Sequence, residues 1–292
     1  MSADPRLETD LENDPGLNLE TDPESDLGWS PSNPLYDDLA DNYDEHFAVP
    51  HRRAYDDMAW QACLPLWPDP AGHIIDVGCG VGRWAERLIG RGHRVTGIEP
   101  APKMAAAARR RLGDDLDTGR FRLIESTVHG AQLEPGGADA VVAMGSLQYA
   151  PDLLTALTRA YGWLRPGGSL AVLVDSLTAL VAELARAGRR EEARERLLTR
   201  SGRWQVGQMA ATLSLWDADG LRTVARTAGF GDLRVTGLLL GASVDGVAGL
   251  RQHLTDDYAG ALADEWELSR CGPADLGKQL LLTARRPQSP GE

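Results

Sequence analysis

The sequence is short of basic residues and of cysteines, and both shortages disfavour whole classes of function. Thirty lysines and arginines stand against 43 aspartates and glutamates, which gives a net charge of −13 at pH 7. Nucleic-acid binding rests largely on cations that neutralise phosphates, so no RNA or DNA partner is expected. The three cysteines, Cys63, Cys79 and Cys271, are widely spaced and lie in no Cys-x-x-Cys or His/Cys cluster. The sequence therefore predicts neither a disulfide framework nor a metal site.

Long apolar runs are also missing. The chain holds no stretch of about 18 apolar residues, and no basic segment followed by an apolar core stands at its N-terminus. We therefore expect a cytoplasmic protein without a membrane partner, and both a monomer and a homodimer stay open. The length of 292 residues suits one large domain, or a smaller domain with additions.

Acidic residues concentrate in the first tenth of the chain. Residues 1–30 contain nine acids and one base, Arg6, and so carry −8 of the net charge. Such a composition buries too little apolar surface to offset the entropy of folding, so we expect an acidic disordered tail. A solubilising role is favoured over contact with a basic partner. At the other end, residues 286–292 are predicted to be a frayed tail.

The stretch 73–99 carries most of the functional information. Its apolar run at 74–77 predicts a buried parallel strand, and a helical pattern begins near residue 83. Between them, glycines occupy alternate positions: Gly78, Gly80 and Gly82. Glycines let the main chain approach a ligand closely, and they leave the amides at the helix N-terminus free to face it. Glu99 ends the next apolar run, where an acid accepts hydrogen bonds from ribose in nucleotide sites.

Strand and helix patterns alternate over much of the chain. Strands are predicted at 73–78, 93–98, 121–124, 138–144, 169–175, 233–240 and 279–284. Helical patterns separate most of them, which is typical of a parallel sheet with helices on both faces. Ligands bind such sheets beyond the carboxyl ends of the strands, where the strand order reverses.

Segments outside this alternation are expected to cover the ligand. Residues 31–72 are predicted to form N-terminal lid helices, one with an apolar stripe over 35–47 and one at 52–64. Two insertions, at about 176–216 and 241–275, interrupt the domain at 73–285. A charge-laced helix is predicted at 176–200 and another helix at 247–258, whereas 204–216 has no clear period.

Taken together, these segments resemble the class I S-adenosylmethionine-dependent methyltransferases of the small-molecule type, over about 35–285. Residues 76–82 resemble the glycine-rich motif of that family, 98–99 its ribose-binding acid and 138–142 its fourth strand. Residues 147–152 and 164–168 resemble the segments that enter and leave the helix after that strand. The resemblance implies a Rossmann-like α/β fold: a seven-stranded, mostly parallel sheet with an antiparallel last strand, and helical lid and cap insertions.

The resemblance also implies the cofactor S-adenosylmethionine. The backbone at Gly78 and Gly80 would approach its methionyl part, Asp76 would orient the ammonium group, and Glu99 would hold the ribose. The full set of implied cofactor-binding residues is Tyr43, Asp76, Gly78, Cys79, Gly80, Glu99, Pro100, Thr127, Val128 and Met144. A dehydrogenase would share the glycine turn alone. Asp76, the fourth-strand segment and 164–168 favour the methyltransferase.

The sequence does not identify a catalytic residue. A neutral hydroxyl or thiol acceptor needs its proton removed, and histidine titrates near neutrality, which makes His46, His51, His129 and His253 candidates. Each has an alternative role as a surface or loop residue. Tyr149, just past the fourth strand, and Tyr43, on the lid, are expected in the active-site wall, with packing as the alternative. The foremost candidates are Tyr149, Tyr43, His46 and His253.

The resulting functional prediction is methyl transfer to an oxygen, nitrogen or carbon of a small metabolite, in a setting such as secondary metabolism. One alternative is a protein that binds S-adenosylmethionine without methylating. A further alternative is a protein or RNA methyltransferase. The two insertions are expected to wall the substrate cavity with apolar and aromatic residues: Trp204, Met209, Leu213, Trp216, Tyr258, Leu262 and Trp266.

Overall fold

The computed structural model describes residues 34–206 and 209–288. The predicted acidic tail 1–30 and most of the predicted frayed tail thus lie outside the described residues. Seven strands form one sheet in the order β3-β2-β1-β4-β5-β9-β8. They are β1 (His73–Val77), β2 (Arg94–Ile98), β3 (Phe121–Ile124), β4 (Ala138–Met144), β5 (Leu164–Asp175), β8 (Gly231–Leu238) and β9 (Gln279–Arg285).

Strand direction follows the predicted pattern. β1 pairs in parallel with β2 and β4, β2 with β3, and β4 with β5. β9 runs antiparallel between β5 and β8. The Rossmann-like, mostly parallel sheet with an antiparallel last strand is therefore confirmed. Because the chain order reverses between β1 and β4, a crevice opens beyond the carboxyl ends of these two strands.

Helices cover both faces of the sheet. They are α1 (Pro34–Leu39), α2 (Tyr43–Phe47), α3 (Pro50–Cys63), α4 (Arg83–Gly90), α5 (Pro102–Arg111), α6 (Gly113–Asp117), α7 (Leu153–Trp163), α8 (Leu177–Arg186), α9 (Arg190–Thr199), α10 (Ala218–Thr227), α11 (Gly241–Asp256) and α12 (Tyr258–Cys271). Residues of α7 and α10 bury one face of the sheet, and residues of α3, α4 and α11 bury the other. Fully buried Leu157 and Leu88 stand at the two cores.

The N-terminal helix is shorter than its apolar stripe predicts. A 3₁₀ turn at Ala40–Asn42 separates α1 from α2, so the predicted helix over 35–47 is two short helices. Leu35 is fully buried, whereas Tyr43 and Phe47 are half-buried and turn toward the glycine turn after β1. The predicted second helix, at 52–64, is α3. α1 and α2 therefore lie over the carboxyl edge of the sheet.

Both insertions differ in detail from the prediction. The single helix expected at 176–200 is α8 and α9, broken near Gly188, which adopts a φ of +80°. The segment expected to lack a period contains an antiparallel hairpin of β6 (Ser201–Val206) and β7 (Met209–Ser214). The helix expected at 247–258 is α11, which kinks at Gly246. It is followed by a second helix, α12, whose N-terminus Asp257 caps by accepting a hydrogen bond from Gly260 N at 3.0 Å.

Each helix within the described residues is too short or too polar to span a lipid bilayer.

Candidate functional site

The turn after β1 brings main chain to the crevice between β1 and β4. Gly78, Gly80 and Gly82 all adopt positive φ, at +70°, +55° and +86°, which other residues reach only with strain. A Cβ on Gly78 would lie 2.3 Å from the Cβ of Ser146, which follows β4. The Ser146 hydroxyl donates to the carbonyl of Val77. The glycines thus let the two strand ends pack closely around an open space.

Two carboxyl groups stand at this turn. Glu99, directly after β2, accepts hydrogen bonds from Gly80 N and Ala101 N, each at 2.8 Å. Its burial raises its pKa to about 7, against the lowering effect of these two amides. Asp76, in β1, is also buried, and burial with the nearby Glu99 charge raises its pKa to about 7. The Oδ2 atom of Asp76 has no hydrogen-bond partner among the described residues.

Two cavities meet at the glycine turn. The smaller, of about 90 Å³, extends past Glu99 toward the end of β3, and the larger, of about 410 Å³, extends toward the end of β5. They share walls formed by Tyr36, Tyr43, Gly78, Gly80, Met144, Gly145 and Tyr149. The site is therefore one elongated space with two compartments.

Most of the residues predicted around the cofactor lie in these walls. Asp76 and Cys79 line the larger compartment, and Glu99, Pro100 and Val128 line the smaller one. Tyr43, Gly78, Gly80 and Met144 line both. Thr127 is different, because its hydroxyl accepts a hydrogen bond from Gly130 N at 2.9 Å and closes a turn. Ser126 stands in the wall in its place.

Tyrosines divide the two compartments. The rings of Tyr36 and Tyr149 meet edge to face at 5.5 Å, and the Tyr149 hydroxyl is within hydrogen-bonding reach of Tyr36 and Gln148. Removal from water raises the pKa of Tyr36, Tyr43 and Tyr149 above the usual range. Phenols with raised pKa stay protonated, so Tyr43 and Tyr149 are suited to donate hydrogen bonds and poorly suited to accept a proton.

The candidate histidines separate in space. His51, on α3, is buried and lines the larger compartment. His253 lies on the exposed side of α11, away from the walls that the described residues form. His129 follows β3 and also stands outside those walls. The side chain of His46 falls outside what the structure describes.

The far end of the larger compartment contains polar groups that the sequence argument missed. Asp175 ends β5, and its carboxylate accepts a hydrogen bond from Gln148 Nε2 at 3.0 Å. Removal from water raises the pKa of Asp175, opposed by the nearby Lys278. Lys278 also pairs with Glu183 of α8 at 3.2 Å. The sequence contained a signal for Asp175, because it is an acid at the end of an apolar strand, as Glu99 is.

Ionic contacts hold α1 and α2 over the glycine turn. Asp37 accepts a hydrogen bond from Lys103 N at 2.9 Å, and Asp44 pairs with Arg111 of α5. The Oδ1 atom of Asp41 lies 3.8 Å from a guanidinium nitrogen of Arg110. From α4, the Arg83 guanidinium stacks 3.8 Å from the centre of the Phe47 ring. The acidic residues of α1, α2 and the turn between them therefore attach this segment to α5, which contributes arginines and a backbone amide.

The insertions form the opposite wall. Leu180 and Leu184 of α8, with Leu213 of β7, line the larger compartment. Trp216, Tyr258, Leu262 and Trp266 do not stand in the walls that the described residues form, and the last three pack instead in the core beneath α3 and α11. The side chains of Trp204 and Met209 lie outside what the structure describes. The first insertion thus contributes more to the described walls than the second.

Comparison with known proteins gives a consistent picture. Residues 74–168 match the family model of a methyltransferase domain. A ubiquinone biosynthesis O-methyltransferase of Xanthomonas campestris pv. campestris is 32% identical over 119 residues, which are 41% of this chain and 49% of that protein. The chain thus spans about half the length of the curated relatives it matches first.

Solved structures share the fold at low identity. A methyltransferase of Thermotoga maritima, described as S-adenosylmethionine-dependent and as a possible histamine N-methyltransferase, has a TM-score of 0.56 at 18% identity and covers 87% of this chain and 99% of its own. A 4+2 cyclase has a TM-score of 0.51 at 21% identity, over 82% of this chain and 83% of its own.

The family match, the strand order and the glycine turn agree with one another and with the walls around Asp76 and Glu99. Residues 74–168 of this chain accordingly match a methyltransferase domain, within a Rossmann-like fold that is shared with S-adenosylmethionine-dependent methyltransferases of known structure.

Proposed function

We propose that this chain transfers the methyl group of S-adenosylmethionine to a small organic molecule. The observation that carries the proposal is the two-compartment site at the carboxyl ends of β1, β4 and β5, in which the compartment lined by Glu99 opens into the compartment lined by Asp76 and Asp175. A total volume of about 500 Å³ lies within the range of small-molecule sites, roughly 300–1,000 Å³.

The residues at the glycine turn fit the cofactor. The unpartnered Asp76 Oδ2 is a buried acceptor suited to an ammonium group, and a cation there would favour the ionised form of a carboxyl group whose pKa is raised to about 7. Glu99 presents its carboxylate at the mouth of the smaller compartment, where ribose hydroxyls can donate to its remaining lone pairs. When bound, the cofactor supplies an electrophilic methyl group on sulfonium sulfur.

The protein's own contribution is enclosure and orientation. The lid residues Tyr36 and Tyr43 close the site from one side, and Leu180, Leu184 and Leu213 close it from the other. Such walls exclude water and hold two reactants in one geometry, which is the main requirement of a displacement reaction. An enclosed site of this size favours a small acceptor over a protein or RNA surface, and so does the modest charge outside residues 1–30.

The curated relatives support an organic acceptor. The names of two of them, a ubiquinone biosynthesis O-methyltransferase and a trans-aconitate 2-methyltransferase, describe small-molecule acceptors. We extend the proposal to a metabolite of secondary metabolism as the acceptor. We also propose the domain division used above, with lid helices at 31–72 and cap insertions at about 176–216 and 241–275 around a catalytic domain at 73–285.

A second candidate is a protein that binds S-adenosylmethionine and does not methylate. The observation that favours it is the cyclase of similar fold, because one fold serves more than one reaction. Incubation of candidate metabolites with methyl-labelled cofactor separates the two. Labelled product supports methyl transfer, and binding of the cofactor without labelled product from any metabolite supports the second candidate.

The cofactor site itself is tested by calorimetry. We expect Glu99→Ala to weaken S-adenosylhomocysteine binding by about tenfold or more, because ribose hydroxyls lose a charged acceptor. Glu125→Ala is the matched control, since Glu125 is exposed at the end of the neighbouring strand β3. Equal dissociation constants for wild type, Glu99→Ala and Glu125→Ala would contradict the proposed cofactor site.

A further inference from the structure

The end of β5 stands beside the compartment divide. Leu173 pairs with Met144 across β4 and β5, and Gly145 N donates to Leu173 O at 3.0 Å. Two residues after Leu173, Asp175 therefore lies next to the turn that carries Gln148 and Tyr149. All three of these side chains line the larger compartment. A carboxylate is thus placed beside the tyrosines that mark the boundary with the cofactor compartment.

Gln148 holds Asp175 from two directions. Its Oε1 accepts the Asp175 amide hydrogen at 2.8 Å, and its Nε2 donates to Asp175 Oδ2 at 3.0 Å. Gln148 is itself 5% exposed, so packing limits its rotation. Gln279, the first residue of β9, also hydrogen-bonds the carboxylate. The carboxyl group therefore has a set orientation while one side of it faces the compartment.

One acceptor beside Asp175, the side-chain oxygen of Gln279, lacks a donor within the described part of the chain. Gln279 is 7% exposed, and its Oε1 atom is buried without a hydrogen-bond partner within the described part of the chain. A buried acceptor without a donor is unfavourable, and here it lies beside a second acceptor, the Asp175 carboxylate. A ligand that brings hydroxyl hydrogens into this corner would satisfy both. The corner is therefore complementary to a hydrogen-bond donor.

Charges around Asp175 favour an oxygen acceptor. Lys278 and Arg52 act on it electrostatically, and Glu183 pairs with Lys278. When Asp175 is ionised, these four charges sum to zero. When a neutral hydroxyl passes its proton to Asp175, the new oxyanion takes over the negative charge and the sum is unchanged. An amine that binds as an ammonium ion would add one positive charge to these four groups, whereas a hydroxyl adds none.

We propose, on the basis of the proposed function, that the acceptor is a small molecule with a hydroxyl group and that Asp175 removes its proton. Gln148 is the positioning residue. The acceptor O–H bond breaks and its proton joins an oxygen of Asp175. The freed oxygen electron pair forms the new bond to the methyl carbon. The carbon–sulfur bond breaks with its electron pair left on sulfur, which becomes a neutral thioether, and Asp175 then releases its proton to water.

The test uses the full chain with methyl-labelled S-adenosylmethionine. Three panels of small aromatic molecules carry a free hydroxyl, a methyl ether or a primary amine at the same position. We expect label in products of the hydroxyl panel alone.

Asp175→Asn is expected to lower kcat by about 10²- to 10⁴-fold, the usual contribution of a general base. Calorimetry should give an unchanged dissociation constant for S-adenosylhomocysteine. Asp232→Asn, at an exposed left-handed position that asparagine tolerates, is the matched control.

The pH profile gives a second readout. The titratable and charged groups that share the compartment of Asp175 are Tyr36, Tyr43, His51, Arg52, Tyr55, Asp56, Asp76, Cys79, Arg83, Tyr149, Glu183, Glu192, Arg196, Arg203 and Lys278. Wild-type kcat/KM should fall with decreasing pH as Asp175 becomes protonated. The pH midpoint of this fall should match the pH midpoint of the carboxyl ¹³C signal of Asp175. That signal is identified by its absence from Asp175→Asn. Gln148→Met should displace this midpoint, whereas a loss of folded protein alone would leave it in place.

The outcomes separate the two proposals. Product from the amine panel, activity of Asp175→Asn within threefold of wild type, or an activity midpoint that differs from the ¹³C midpoint would overturn the role of Asp175 and leave the proposed function standing. Absence of product from all panels, with no binding of S-adenosylhomocysteine, would overturn the proposed function and the role of Asp175 together.

Discussion

Asp76 and Glu99 illustrate how a binding residue can oppose folding. Both carboxyl groups are buried near each other, and burial raises the pKa of each to about 7. In the folded chain without a cation beside them, ionisation is unfavourable. The residues best suited to bind a cationic, hydroxyl-rich ligand therefore destabilise the ligand-free protein at neutral pH.

The effect on stability has a defined sign. The pKa of Asp76 is raised above its unfolded value near 3.8, so the folded state holds the proton more tightly, and stability falls as pH rises from about 4 to about 7. Asp76→Asn removes this loss. The free energy of unfolding of the variant, measured by urea titration, should gain about 1–3 kcal/mol relative to wild type between pH 5 and pH 8.

Two controls accompany this measurement. Asp232→Asn, at an exposed position, should leave the pH dependence as in wild type. Calorimetry should find weaker S-adenosylhomocysteine binding by Asp76→Asn. A difference in the free energy of unfolding between Asp76→Asn and wild type that is the same at every pH would contradict this prediction.

At the scale of elements, the lid is an ionic attachment. The acidic residues of α1 and α2 and the intervening turn, Asp37, Asp41 and Asp44, meet the backbone and arginines of α5. Each contact is partly exposed, so each contributes little alone and is screened by salt. The lid thus closes over the glycine turn with a modest and salt-dependent free energy, which suits a segment that must open for ligands.

Loss of one contact should weaken the cofactor complex. Arg111→Met removes one of the two arginines that pair with Asp44, and we expect a two- to tenfold rise in the S-adenosylhomocysteine dissociation constant, about 0.4–1.4 kcal/mol. Raising NaCl from about 0.05 to 0.5 M should weaken wild-type binding and affect the variant less. Arg122→Met, exposed on β3, is the control. Equal salt dependence in all three proteins would show that α1 and α2 are held by apolar contacts instead.

For the whole molecule, one sheet carries Asp76, Glu99 and Asp175 at or directly after the carboxyl ends of its strands. β9 lies between β5 and β8, and its residues alternate between the two cores, with Leu280 and Leu282 in one and Leu281 in the other. The last strand of the sheet in chain order therefore completes both faces. Disruption of β9 should unfold the sheet as a unit.

Leu282→Ala tests this unity. Leu282 is fully buried, so the truncation should cost about 2–5 kcal/mol in the free energy of unfolding. When Leu282→Ala unfolds, the circular dichroism signal and the fluorescence of the ligand-bound protein should be lost in one shared transition. Leu276→Ala, at an exposed leucine just before β9, should cost less than about 0.5 kcal/mol. Two separate transitions in Leu282→Ala would contradict a single cooperative sheet.

Local patterns along the chain were sufficient for the sheet and for many of the residues that line the two compartments. Apolar runs predict strands because buried parallel strands need apolar side chains on both faces, and the positive φ angles at 78, 80 and 82 need glycine. Glu99 follows from its place at a strand end. Local patterns did not predict the helix breaks at Ala40–Asn42 and Gly188, or the hairpin of β6 and β7. Short helices and two-stranded hairpins depend on tertiary contacts.

By itself, the sequence determined the fold class and the glycine turn, because both rest on residue types at short, regular spacing, and its resemblance to known methyltransferases indicated the cofactor. Only the tertiary structure decided which polar groups share the larger compartment. Gln148, Asp175 and Gln279 come from three separate segments, and the sheet order alone brings them together. The tertiary structure likewise placed His253 on the exposed side of α11 and raised the pKa of Tyr43 and Tyr149 above the usual range, since exposure and desolvation are properties of the packed chain.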